Sequence, residues 1–402
     1  MSGAAPERPT TVFFVVGDES GDQLGAALMR GLVAGSDRAF RFAGVGGDRM
    51  EAEGLTSLFP LHDIAVMGAT AVIAKLPTIL RRMRETVDAV LAEKPDILVI
   101  IDSPDFTHRV AKKVRKRRPD LPIVDYVSPS VWAWRPGRAR KMKAYVDHLL
   151  AILPFEPDVH ERLGGPVTTY VGHPLIERLD KLRPTADERP PLASASAPVL
   201  LVLPGSRRGE LDRMLDIFGQ AVELIVARFG KRLEVVIPAV PRLAETLRER
   251  TAKWPVAPQV VVGEEAKFAA FRRAHAALAA SGTVTLELGL AHVPMVVAYV
   301  LDGIYRQINR LRRLFPNIAQ VDTMVLTNII IGAKAIPELL DLEVTPEALA
   351  ERVLPLLGET PERSAQLAAF SRLDDAMTLE GGESPSARAA RVVLAELDRA
   401  GR

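Results

Sequence analysis

The chain of 402 residues contains no cysteine. That excludes disulfides, thiolate nucleophiles and cysteine-ligated metals, and makes a reducing, cytoplasmic setting the expectation. Histidine is scarce, at 7. No H-x-x-x-H or D-x-D pair occurs, so the sequence predicts a protein that binds no metal and needs no cofactor. No apolar run approaches the ~20 residues that a membrane-spanning helix requires. The polar start MSGAAPERPT has no basic segment backed by a hydrophobic one, so no signal peptide is expected, and any membrane contact is peripheral. Neither sign of charge dominates: 52 Lys and Arg face 50 acidic residues, and nothing calls for a nucleic-acid partner. Aromatic residues are only 5%, and two of the 3 tryptophans share one short segment.

Short Val- and Ile-rich runs alternate with amphipathic stretches. Thr11–Val16, Arg41–Val45, Ile97–Ile101, Ile123–Val127, Leu149–Leu153 and Thr168–Val171 read as strands. Helical patterns lie between them, among them Gln23–Val33 and, just after Pro77, Thr78–Ala92. Unbroken apolar runs such as ILVII mark strands covered on both faces, as in a parallel sheet flanked by helices. The segment RPTADERPPLASASAP, residues 183–198, has no apolar period and reads as a linker. The pattern then restarts, with strands at Val199–Leu203, Leu233–Ile237, Gln259–Val262, Ala276–Ala279 and Met295–Ala298 and a terminal helix near Ala387–Leu397. The expected fold is α/β: two tandem Rossmann-like, doubly wound domains, 1–182 and 199–365, followed by a helical segment, 366–402. In such sheets ligands bind beyond the carboxyl ends of the strands.

The motifs fall there. After the strand ending at Leu203, Gly205, Ser206 and Arg207 open a helix; a glycine turn, helix-start amides and a guanidinium suit a phosphate, or form an ordinary turn with a solvated Arg. In ASGTVTLELGL, Ser281, Gly282 and Thr283 start a helix, and Glu287 follows one turn later with two acceptor oxygens that suit ribose hydroxyls. In the first half, GDESGDQLG places Asp18, Glu19 and Asp22 at a helix start, where capping explains them as well as catalysis does. In IIDSPDF, Asp102 directly follows a buried strand and Asp105 comes three residues on; either is a candidate general base. YVSPSVWAWRPGRARKMK combines Ser130, Trp132 and Trp134 with Arg135, Arg138, Arg140, Lys141 and Lys143, a pattern suited to a sugar face or acyl chain beside a phosphate. Leu76, Leu80, Met83 and Val87 form a helical stripe among Lys75, Arg81, Arg82 and Arg84, which suits either an anionic membrane or packing on the sheet. The less polar Val66–Ile73 stretch is the stronger candidate for lipid contact. His173, alone in YVGHPL, reads as ordering the domain junction.

Taken together, the runs GDESGDQLG, GVGGDRMEAEG, IAVMG, IDSPDF, YVSPSVWAWRPGR, LPFEP, YVGHPL, LPGSRRGE, ASGTVTLELGLAHVPMVV and NIIIGAKAIPELL resemble the lipid-A-disaccharide synthase family, in family order from about residue 12 to residue 341. The resemblance implies a GT-B glycosyltransferase with two domains facing a cleft, whose C-terminal segment returns to the first domain or swaps within a homodimer. It implies condensation of UDP-2,3-diacylglucosamine with 2,3-diacylglucosamine 1-phosphate (lipid X), giving a β-1,6 tetraacyl disaccharide 1-phosphate and UDP. The reaction would run without a metal, at the cytoplasmic face of the inner membrane, against anionic lipids. Asp102 corresponds to the proposed base, with Asp18 and Asp22 supporting it or orienting a sugar. Arg207 and Asn328 fall at positions important for activity. Gly205, Ser206, Ser281, Gly282, Thr283, Glu287 and Glu338 go with the UDP-sugar, and Met67, Ser130, Trp132 and Arg135 with the acceptor and its acyl chains. Many family members have Glu at the positions of Asp18 and Ala71. A UDP-GlcNAc 2-epimerase-like enzyme or a catalytically silent UDP-lipid binder are the rival readings.

Overall fold

The computed structural model describes residues 8–65, 69–301 and 323–401, with the side chains of residues 69–74 left aside. The chain divides into two compact units, Met1–Ile176 with Thr378–Arg402, and Glu177–Met377.

The first unit is built on β1 (Thr10–Val16), β2 (Phe40–Val45), β3 (Thr56–Ser57), β4 (Ile97–Ile101), β5 (Ile123–Tyr126), β6 (His148–Ala151) and β7 (Val167–Tyr170). All pairs are parallel, in the order β3-β2-β1-β4-β5-β6-β7. The unbroken apolar runs are explained by two-sided cover. Val12, Phe14 and Val16 of β1 join one buried cluster, while Phe13 and Val15 join another on the opposite face. The register sets Val16 beside Ile101, so the loops after β1 and β4 leave the sheet side by side.

The second unit repeats the plan with β8 (Val199–Leu203), β9 (Glu234–Ala239), β10 (Gln259–Val262), β11 (Ala276–Ala280), β12 (Met295–Tyr299) and β13 (Glu338–Leu340). Its order is β10-β9-β8-β11-β12-β13, again all parallel. Both sheets are therefore Rossmann-like, with strand order reversing between β1 and β4 and between β8 and β11. Among the described residues no helix is long and apolar enough to cross a membrane.

Three expectations change. The chain passes to the second unit at Ile176/Glu177, ahead of the expected 183–198 linker, and returns at Thr378, later than 366. The supposed linker is packed: Arg189 donates to the carbonyls of Phe271, Arg272, Ala291 and His292, and Leu192 is buried. The helix expected to start after Pro77 runs from Ala69 to Glu93 through that proline, which costs one backbone hydrogen bond without ending the helix. On this helix Met83 and Val87 pack into the core, whereas Leu76 and Leu80 stay exposed.

Candidate functional site

In the first unit the switch point holds an acidic pair. The Asp102 N–H extends the ladder by donating to the Tyr126 carbonyl at 3.0 Å, and the chain then bends through two left-handed residues, Asp102 (φ 51) and Ser103 (φ 43). Such conformations are costly for residues with a Cβ and persist where the surroundings fix them. Gly17 makes the bend fit: a Cβ there would lie 2.1 Å from the Ser103 Cβ. Asp102 Oδ1 accepts from the Ser103 N–H at 2.6 Å, and Oδ2 lies 3.2 Å from the Ser20 hydroxyl, which also reaches Asp18 Oδ1 at 2.8 Å. The Ser103 hydroxyl donates to Asp18 Oδ2 at 3.3 Å, so two serines bridge two carboxylates. Burial pushes the Asp102 carboxyl above the ordinary range, the charge of Asp18 pushes it further, and the bonds from Ser103 and Ser20 oppose the shift.

Asp18 doubles as the N-cap of helix Glu19–Ala34, accepting from the Gly21 N–H at 2.9 Å. Asp105 is separate. Its side chain is 89% exposed and faces Arg138 at 3.7 Å, so of the two candidate bases only Asp102 sits in a structured polar site. The candidate Asp22 is engaged by backbone. It is buried and accepts from the N–H groups of Gly47, Arg49 and Met50 at 2.7, 3.0 and 3.1 Å, capping helix Asp48–Ala52.

In the second unit a pocket of about 430 Å³ opens at the switch point, lined by Gly205, Ser206, Arg207, Glu210, Lys267, Ser281, Gly282, Thr283 and Glu287 among others. Gly205 adopts φ +115, and a Cβ on it would lie 2.6 Å from the Glu210 Cβ, so only glycine closes this turn. Glu210 Oε2 accepts from the N–H groups of Ser206 and Arg207 at 3.1 and 3.3 Å, and Oε1 meets the Arg207 guanidinium at 3.1 Å. Glu210 thus holds the amide and guanidinium donors of this turn, and an anion entering the pocket would take its place on them. Glu287 points into the same pocket, with Lys267 Nζ 2.9 and 3.0 Å from its two oxygens.

Asn328 and Glu338 do not line this pocket. Asn328 is buried; its Oδ1 accepts from the N–H groups of Ala335 and Ile336, and its Nδ2 donates to the Ile336 carbonyl. Glu338 accepts from the Thr323 hydroxyl and the Met324 N–H. Both brace backbone, since partners within their own segments use their polar atoms.

The aromatic loop after β5 divides its two tryptophans. Trp134 is exposed, with the Arg135 guanidinium 5.4 Å from its ring centroid, whereas Trp132 turns inward, edge-on to Phe155. The carbonyl of exposed Ser130 accepts from the Ala133 and Trp134 N–H groups. Met67 lies outside the described residues, as do the side chains of the rest of Val66–Ile73. His173 closes the turn before the crossing, its Nδ1 accepting from the Leu175 N–H at 3.2 Å. Sequence reasoning missed Lys267, which no motif marks. It also passed over Glu210, which reaches back from the first turn of helix Arg208–Phe229 to the Ser206 and Arg207 N–H groups.

A sequence-family model described as lipid-A-disaccharide synthetase matches residues 12–389. A protein named lipid-A-disaccharide synthase from Nitrobacter hamburgensis is 52% identical over 98% of this chain and 97% of its own length. One of the same name from Bradyrhizobium diazoefficiens is 51% identical over 99% and 98%. Among solved structures, UDP-GlcNAc 2-epimerase from Neisseria meningitidis bound to UDP-GlcNAc superposes with TM-score 0.61 at 12% identity, covering 97% of this chain and 100% of that one. The glycotransferase of kitacinnamycin superposes with TM-score 0.59 at 17% identity and the same coverage. Likeness at these identities carries the fold alone, that of a GT-B glycosyltransferase or a UDP-GlcNAc 2-epimerase.

Proposed function

Since the chain belongs to the lipid-A-disaccharide synthase family, we propose that it condenses UDP-2,3-diacylglucosamine with lipid X in an inverting single displacement, releasing UDP. The observation that carries this reading is one of placement. Each sheet has a polar constellation at the carboxyl end of its switch-point strands, a carboxylate in one and a turn of amide and guanidinium donors in the other.

In the second unit, Glu287 takes the ribose hydroxyls of the donor. The amides of Ser206 and Arg207 and the Arg207 guanidinium, exchanging Glu210 for the substrate, and the start of helix Val284–Leu290 meet the diphosphate. Charge that builds on the leaving group is met by these donors, so turnover is expected to persist in a chelator. In the first unit, Asp102 takes the proton from the acceptor 6-hydroxyl as that oxygen attacks the anomeric carbon. Its raised pKa makes it a stronger base than a free carboxylate, while the bonds from Ser103 and Ser20 fix its direction. Asp18 orients it through Ser20. Exposed Trp134, Arg135, Leu76 and Leu80 suit the acyl chains, the acceptor phosphate and anionic lipids at the cytoplasmic face of the membrane. The relatives named as synthases weigh against the epimerase reading.

The test is UDP release from UDP-2,3-diacylglucosamine in detergent micelles with EDTA, with and without lipid X. Release that requires lipid X and yields a disaccharide supports the reading. Release without the acceptor points to an epimerase-like reaction, and no release despite tight UDP binding points to a silent binder. Asp102→Ala is expected to abolish turnover while leaving the thermal transition in place. A near-full rate in that variant would remove Asp102 as the base.

A further inference from the structure

The run LPFEP has no part in the chemistry above, yet together with the residues just after it the run contributes two deeply buried polar side chains. Glu156 and His160 lie one turn apart on helix Glu156–Leu163, on the face beneath the loop that follows β5. Glu156 Oε2 accepts from the Leu153 N–H at 3.1 Å, and Oε1 accepts from the Trp132 indole N–H at 3.3 Å. His160 Nε2 is 2.8 Å from the Ser128 hydroxyl, which donates to the Pro129 carbonyl at 2.9 Å. The Ser128 hydroxyl thus ties His160 to the loop. The other ring nitrogen, Nδ1, is buried without a partner and closed off by Gly165, where a Cβ would lie 2.5 Å away.

The loop these residues reach is strained at both ends. Val127 holds φ +81 and Arg135 φ +53, and a left-handed β-branched residue is an outlier that needs outside support. Both burial-driven shifts favour neutral partners: Glu156 is pushed up to about 8, against hydrogen bonds from Leu153, Trp132, Ile152 and Ser128, and His160 is pushed down to about 4.

We propose that Glu156 and His160 are positioning residues for the acceptor: from below they hold the Ser128–Arg135 loop in its strained form, so that Trp134 and Arg135 face outward as a fixed aromatic–cationic platform. The inference rests on the reading that this loop meets lipid X.

The test uses the full-length enzyme and a double-mutant cycle. Trp132→Phe keeps an aromatic side chain and removes the indole donor, and Glu156→Leu removes both carboxyl oxygens with little change in volume. Each is expected to raise the KM for lipid X on the order of tenfold, with the KM for the UDP-sugar and kcat little changed. The double variant is expected to be no worse than Glu156→Leu alone, because both changes cut the Trp132–Glu156 bond. Acrylamide quenching and hydrogen exchange across residues 128–135 are expected to rise in parallel. Glu156→Ala is the severe variant; should it fail to fold, the two conservative changes still decide the matter. A loop no looser in either variant overturns the strap. A looser loop with an unmoved acceptor KM overturns the acceptor role of the loop, leaving the Asp102 and UDP assignments standing. Equal rises in both KM values reduce Glu156 to general stability and also overturn the proposal.

Discussion

At the scale of single residues, the environment of Asp102 has a readable consequence. Burial first, and the Asp18 charge second, raise its pKa. A general base acts as the carboxylate, so kcat/KM falls as pH falls through that raised value. Asp18→Asn removes a neighbouring negative charge, which lowers the Asp102 pKa, so the acid limb is expected to move to lower pH. A limb that stays in place would show that Asp18 does not act on the titrating group. The sequence disclosed Asp102 because a carboxylate directly after an apolar run needs a reason. It gave no such lead for Asp22, whose three donors come from residues 47–50, or for Lys267, which meets Glu287 twenty positions later in the chain. The partners of Asn328 were hidden for the same cause, since they come together only once the turn before Ile336 has folded.

At the scale of elements, two-sided burial made the central strands legible. Ile97–Ile101 and Val199–Leu203 agree with the sequence reading at both ends. The two-residue β3 and the three-residue β13 are too short to carry an alternation, and neither was foreseen. Segment 183–198 shows the limit of composition. Pro, Ala and Ser foretold irregular backbone, but not that Arg189 would bind four carbonyls some 80 to 100 positions later in the chain. Burial holds its guanidinium down to about 10, the mark of a cation enclosed by its acceptors. Arg189→Leu leaves those carbonyls without their donors and is expected to cost roughly 2–4 kcal/mol, seen as a lower urea midpoint. An unchanged midpoint would mean that water replaces the guanidinium freely.

At the scale of the whole molecule, the chain enters the second unit once and comes back. Helix Pro385–Ala400 belongs to the first unit, where Ala389, Ala390, Val392, Val393 and Leu397 share a core with Leu28 and Leu32 of helix Glu19–Ala34. Composition does not foretell that return; the family resemblance implied it. His148 Nδ1 and Glu396 Oε1 are 2.6 Å apart, joining the helix to β6. Contact at Gly31 is tight, since a Cβ there would lie 2.8 Å from the Ser386 carbonyl and 3.0 Å from the Ala390 Cβ. Gly31→Leu is therefore expected to push the last helix away and to speed hydrogen exchange across residues 385–400, with the second unit unaffected. Unchanged protection there would mean that the helix is held by its other contacts.

This return also reverses the order of biogenesis. The unit that begins first is completed last, because residues 378–402 arrive only after all of Glu177–Met377 has been made. At about 5–20 residues per second, synthesis of that intervening stretch takes on the order of ten to forty seconds. Throughout that time the nascent chain carries an apolar helix face, with Leu28 and Leu32 on it, that lacks its cover. That face is where a chaperone would bind and where premature association of two unfinished chains would begin.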